Sequence, residues 1–209
     1  MKLYKIYSRA IGLLFALSLL CVGCENEDIL DINDLEISPS NPESVVIVEP
    51  DDGITSVNAL TKAINENGDA TYILRRDGVY YMEGKNVFKH NVVIKAENGS
   101  GKMPIIQPIC DAQGALNADM IRLEGSATFE NIYIIGKDAA TGNLMQRLFR
   151  IDESNVRLKF DNCFIDHCRN FCIRTDNVNN KIYLNNSTIR NLALTSQWQI
   201  DRFTWKRAR

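Results

Sequence analysis

Apolar and polar residues alternate through short segments of the second half of the chain. The clearest are 120–125 (MIRLEG), 148–152 (LFRID), 156–160 (VRLKF), 171–175 (FCIRT) and 181–185 (KIYLN). A period of two is the pattern of a half-buried strand. Two motifs recur among these segments. Phe129-Glu130-Asn131-Ile132-Tyr133-Ile134 aligns with Phe160-Asp161-Asn162-Cys163-Phe164-Ile165 and with Leu184-Asn185-Asn186-Ser187-Thr188-Ile189. A weaker copy begins at Asn91, so the Asn-to-Asn spacings are 40, 31 and 24. The second motif is apolar, Arg, strand former, acid. It occurs as Ile121-Arg122-Leu123-Glu124, Phe149-Arg150-Ile151-Asp152 and Ile173-Arg174-Thr175-Asp176, spaced by 28 and 24. Arg150 precedes Asn162 by 12 residues, and Arg174 precedes Asn186 by 12, so the two motifs run in step.

Strands this short do not fold alone. Coils of about two dozen residues bury their apolar faces only by stacking into one column. The expected fold is therefore an all-β parallel β-helix. Asn131, Asn162 and Asn186 would form a ladder at its turns, because Asn bonds its neighbours above and below and tolerates left-handed backbone. Longer spacings mean loops inserted into coils, such as 136–146. A leucine-rich repeat also uses an Asn ladder, but no L-x-x-L-x-L frame persists here. Residues 56–67 place Val57, Leu60, Ala63 and Ile64 on one helical face, with Ser56 as the expected N-cap. Residues 69–84 read as a strand, a hairpin turn at Asp77-Gly78 and a second strand. Together they suit an N-terminal cap.

The first residues change where the chain is expected to work. Lys2, Lys5 and Arg9 precede an apolar run of about 14 residues, 10–23, which fits a secretory signal and is short for a membrane span. Cys21-Val22-Gly23-Cys24 resembles the bacterial lipobox, with Cys21 where that motif usually has Leu. The resemblance implies cleavage before Cys24 and lipid attachment to it. Glu25-Asn26-Glu27-Asp28 resembles the surface-export signal of Bacteroidetes-type lipoproteins, which implies the extracellular face of the outer membrane. The expected organisation is a signal peptide (1–23), lipidated Cys24 with an acidic tether (24–45), a cap (46–90), β-helix coils (91–194) and a basic tail (195–209). Without residues 1–23 the chain carries 21 Lys and Arg against 26 Asp and Glu, a net charge of −5. That excess argues against nucleic acid as a partner.

Four cysteines remain beyond Cys24: Cys110, Cys163, Cys168 and Cys172. Export permits disulfides, and buried thiols packed as small hydrophobes are the other reading. Cys163, Cys168 and Cys172 with His167 match no compact zinc spacing, so no metal site is expected. The segments ALTKAI, TYILRRDGVYY and NVVIKAENGSGKMPIIQP resemble the start of pectate-lyase-like right-handed β-helix proteins. They are similar in particular to surface lipoproteins of Bacteroidetes-type glycan-utilisation systems. Members of that family are usually longer. Residues 195–209 leave the repeat, so the C-terminus is expected to be that of a truncated or frame-shifted remnant. The other reading is a short natural cap of Trp198, Phe203 and Trp205.

Candidate chemistry lies on the outward face of the strands. Arg122 and Glu124 share a face because they are two apart, as do Arg150 with Asp152 and Arg174 with Asp176. Stacked about 4.8 Å apart, they would form a stripe. It reads either as a groove for an acidic or neutral glycan, with Arg forking onto carboxylates, or as a self-compensating ladder of surface ion pairs. If the likeness extends to active lyases, it implies β-elimination, with Arg150 or Arg174 as general base and Asp152 and Asp176 near calcium. No compact acid cluster supplies a calcium site, however. No carboxylate pair is marked out for hydrolysis, neither His90 nor His167 has an evident nucleophile, and GSGK at 99–102 is no phosphate loop. Three functions stay open: a surface lipoprotein binding polysaccharide, a polysaccharide lyase or inactive remnant of one, and a structural or adhesive surface protein. The oligomeric state is left open. The anchor is directly testable. Cys24→Ser is expected to abolish incorporation of a labelled fatty acid and release the chain from the membrane fraction; persisting label would overturn the assignment.

Overall fold

The computed structural model describes residues 44–192. They wind as a β-solenoid of three parallel sheets. Sheet A stacks β1 (Val45–Val48), β2 (Ala70–Leu74), β5 (Val92–Ala96), β8 (Ala127–Glu130), β11 (Arg157–Asp161) and β14 (Lys181–Asn185). Sheet B stacks β3 (Val79–Glu83), β6 (Ile105–Ile109), β9 (Tyr133–Ile135), β12 (Phe164–Cys168) and β15 (Thr188–Leu192). Sheet C stacks β4 (Val87–Phe88), β7 (Asp119–Leu123), β10 (Arg147–Ile151) and β13 (Phe171–Thr175). From β2 onward the chain visits A, B and C in turn, so each coil pairs in parallel with the next.

The register explains the interior. In sheet A, Val46, Tyr72, Ile94, Phe129, Phe160 and Leu184 occupy one column. Phe129 and Phe160 stack with ring centroids 5.5 Å apart, and Phe149 meets both edge-on from sheet C at 5.4 and 5.3 Å. All three rings are fully buried. This geometry adds quadrupole attraction to area burial.

The corners carry the left-handed residues. Asn131, Asn162 and Asn186 sit between sheets A and B at φ 58°, 50° and 47°. The Asn162 amide donates to Asn131 Oδ1 at 2.6 Å. Asn91 is not part of this ladder. It enters β5 at the C–A corner, where its Oδ1 accepts from the Ser126 backbone N–H. That corner has Asn positions of its own, Asn155 (φ 63°) and Asn179 (φ 59°), so one residue type marks two different turns. Long loops occupy the B–C corner of two successive coils, 110–118 and 136–146. At the root of the second, Gly136 is closely enclosed: a Cβ there would collide with the His167 carbonyl and the Leu148 side chain.

Two local expectations are corrected. The Asp77-Gly78 turn makes no hairpin. β2 pairs with β5 and β3 with β6, so the turn is a solenoid corner, with Asp77 at φ 60°. The turn residues for the two arrangements are the same, and stacking decides between them. The helix α1 spans Ala59–Asn67, not 56–67, and its N-cap is Asn58, which makes no side-chain cap bond. Asp51 takes that role. Its carboxylate accepts from the Ala59 N–H, the Ser56 hydroxyl and the Tyr81 N–H. α1 buries Leu60, Thr61 and Ile64 and touches strands β1 to β4, covering the first coil. Coiling therefore begins at β2, within the segment expected to be cap. The four cysteines here are free thiols, with Cys163 and Cys168 in the core. Burial pushes both up to about 11. The basic tail and the lipobox lie outside the described residues.

Because Phe160 fills the shared column between two coils, Phe160→Ala is expected to cost about 3–5 kcal/mol, read from chemical denaturation followed by circular dichroism.

Candidate functional site

Sheet C brings the predicted arginines together. Arg122, Arg150 and Arg174 are register partners on β7, β10 and β13. Ile121, Phe149 and Ile173 precede them in register; the first two are fully buried and Ile173 packs against the core from partial exposure. The arginines thus stand on the outer face, each partly exposed. The acids interleave with them across coils. Arg122 reaches Asp152 at 3.3 Å, and Arg150 holds Asp152 at 2.6 Å and lies 3.8 Å from Asp176. Arg174 holds Asp176 at 3.1 Å. Glu124 is exposed and, among the described residues, takes part in none of these pairs.

Sequence reading missed the anchor of this ladder. Asp119 begins β7 with its side chain fully buried. It binds Arg122 at 2.9 Å and also pairs with Arg147, its register partner, which is nearly as buried. Burial pushes the Asp119 carboxyl up, but the Arg147 and Arg122 guanidiniums outweigh it and hold it below the ordinary value of 3.8. The ladder therefore runs Arg147, Asp119, Arg122, Asp152, Arg150, Asp176, Arg174. It carries one positive charge in excess before Glu124 is counted. Phe171, in register with Arg147, is 41% exposed. The signal for Asp119 and Arg147 was their shared place three residues before the repeated Arg.

A second cluster occupies the outer face of sheet B. Asp166 on β12 is almost fully buried. It accepts from the Tyr133 hydroxyl at 2.6 Å, Arg190 Nε at 3.0 Å and Asn191 Nδ2 at 2.7 Å. Arg190 also donates to the Tyr133 oxygen at 3.2 Å. Burial raises the Asp166 carboxyl, yet the hydrogen bonds from Tyr133, Asn191 and Arg190 outweigh that and hold it low. His167 Nδ1 lies 2.8 Å from Asp166 Oδ1 without hydrogen-bond geometry. His90, the other histidine, lies 3.2 Å from Asp69. Among the described residues no three His, Cys, Asp or Glu side chains converge on a position that could hold a metal ion. Asp152 and Asp176, the acids that the lyase likeness would put near calcium, both face guanidiniums. No protein-family model matches the chain, and no curated protein matches it.

Asp119 generates a prediction with a definite sign. A carboxylate with a lowered folded pKa contributes stability that is present above the unfolded value and lost as pH falls through the folded one. Wild-type stability is expected to fall on acidification below about pH 4, and Asp119→Asn to flatten that limb while lowering stability at pH 7. Asp119→Ala, which strands Arg147 in the interior, is expected to cost about 3–5 kcal/mol. Denaturant melts across pH check both.

Proposed function

We propose that this chain is a lipoprotein, anchored through Cys24 and displayed on the cell surface, whose solenoid binds an extracellular polysaccharide along sheet C without cleaving it. The observation that carries this reading is the in-register column of Arg122, Arg150 and Arg174 on the outer face. Its rungs repeat about every 4.8 Å, a distance of the order of one sugar unit. A linear polymer thus meets the same donors and acceptors at each step. Arginine offers a planar fork to carboxylates and hydroxyls, and the interleaved Asp152 and Asp176 accept from hydroxyls. The signal peptide, the lipobox and the likeness to pectate-lyase-like lipoproteins of glycan-utilisation systems support the setting.

A structural or adhesive role is the second reading, and one observation favours it: the ladder largely compensates its own charges. Polysaccharide binding separates the two. The full chain is expected to bind on an array of acidic and neutral polysaccharides, and Arg150→Ala with Arg174→Ala is expected to weaken that binding about tenfold or more with the fold retained. Binding indifferent to those changes favours the structural reading. Unsaturated product absorbance from polygalacturonate with calcium would replace simple binding by β-elimination.

A further inference from the structure

We propose that the outer face of sheet B carries a second saccharide-binding surface, suited to an uncharged sugar ring rather than to a uronate. The proposal takes its ligand class from the glycan reading above, but it concerns a different face and different residues.

The register builds the surface. Ile105, Tyr133 and Phe164 are successive partners on β6, β9 and β12. Tyr133 and Phe164 meet edge to face with centroids 6.1 Å apart, and Phe164 is 39% exposed. This makes an apolar, partly aromatic ledge along the solenoid axis. Beside it, in the neighbouring outward column, lies the Asp166 cluster, with Arg190 in register. Ligand sites commonly combine an apolar or aromatic floor with a few fixed polar groups. The ledge and the cluster supply one of each.

The cluster also selects the ligand's charge. The Arg190 guanidinium is 53% exposed, but it is held on the Asp166 carboxylate at 3.0 Å. Its charge is therefore matched, which removes the net attraction a uronate would need. What remains is directional. Arg190 donates through Nε to Asp166 and through Nη2 to the Tyr133 oxygen, which fixes the plane of its guanidinium at the border of the ledge. Tyr133, fixed by Asp166 and Arg190, holds its ring at the edge of the ledge. The axial C–H face of a neutral pyranose fits an apolar ledge, and its equatorial hydroxyls fit the polar border.

The test uses the full chain in detergent and titrates dextran, laminarin, xylan and polygalacturonate by calorimetry. Wild type is expected to bind at least one of the three neutral polymers. Phe164→Leu, which keeps apolar bulk but loses the ring, is expected to weaken that binding about tenfold or more. Phe164→Tyr, which keeps the ring, is expected to retain it. Neutral binding that ignores Phe164→Leu overturns this inference and leaves the glycan reading standing. Binding of polygalacturonate alone does the same. If none of the four polymers binds, both fall.

Discussion

Among the described residues no strand of this solenoid is longer than five residues, and none pairs with a strand of its own coil. Each takes its ladder hydrogen bonds from a neighbouring coil, and its inward side chains pack both within the coil and on the next. The constraint on which the structure depends is therefore register: each coil must return to the same angular position for its inward residues to land on those of the last. The Phe129, Phe149 and Phe160 cluster shows what this secures. Two rings come from adjacent rungs of one sheet and the third from the sheet opposite, so a slipped coil would lose both contacts together. A one-residue slip would also turn each inward face outward. The left-handed Asn corners serve the same constraint. They turn the chain within one or two residues, and they tie one corner to the next through the side chain.

Strict register creates an electrostatic problem on the outside. Like residues stack on like, and three arginines a few ångströms apart repel one another. The ladder on sheet C resolves this by offset. Asp152 and Asp176 each sit two residues beyond an arginine, just past the end of its strand, which lets Asp152 serve both Arg122 and Arg150. At the start of β7, where the ladder runs into the interior, Asp119 meets two guanidiniums. That end is desolvated, so its pairing matters far more than that of the exposed rungs, which contribute little each.

Much of this was legible in the sequence because the repeat is. The matched spacing from Arg150 to Asn162 and from Arg174 to Asn186 sets both motifs on a common coil, and the long gap before Arg147 marks an inserted loop. What local signals express in more than one way was misread. Asp77-Gly78 serves a hairpin or a corner equally well. Ser56 looks like an N-cap, but Asp51, eight residues before the helix start, competes for the same N–H. Asn91 has the right residue type at the wrong corner. The Asp166 cluster was not legible at all, since Tyr133, Arg190 and Asn191 lie 33, 24 and 25 residues from it in sequence. Only the stacked register makes them neighbours.

Register also bears on how the arginine column should be understood. If stacking alone imposed repetition on outward positions, sheet A would show it too. Its outer column instead runs Val45, Thr71, Val93, Thr128, Lys159, Tyr183 through the same coils. The solenoid thus accepts apolar, hydroxyl, cationic and aromatic side chains at equivalent places. Simple copying of a coil would have repeated sheet A as faithfully as sheet C. Three successive arginines with acids two residues on are consequently a property of that one face. Exposed pairs of this kind add little to stability, so the fold has no need of them at Arg150 and Arg174. The repetition on sheet C is thus a feature of that face's sequence and not a consequence of stacking.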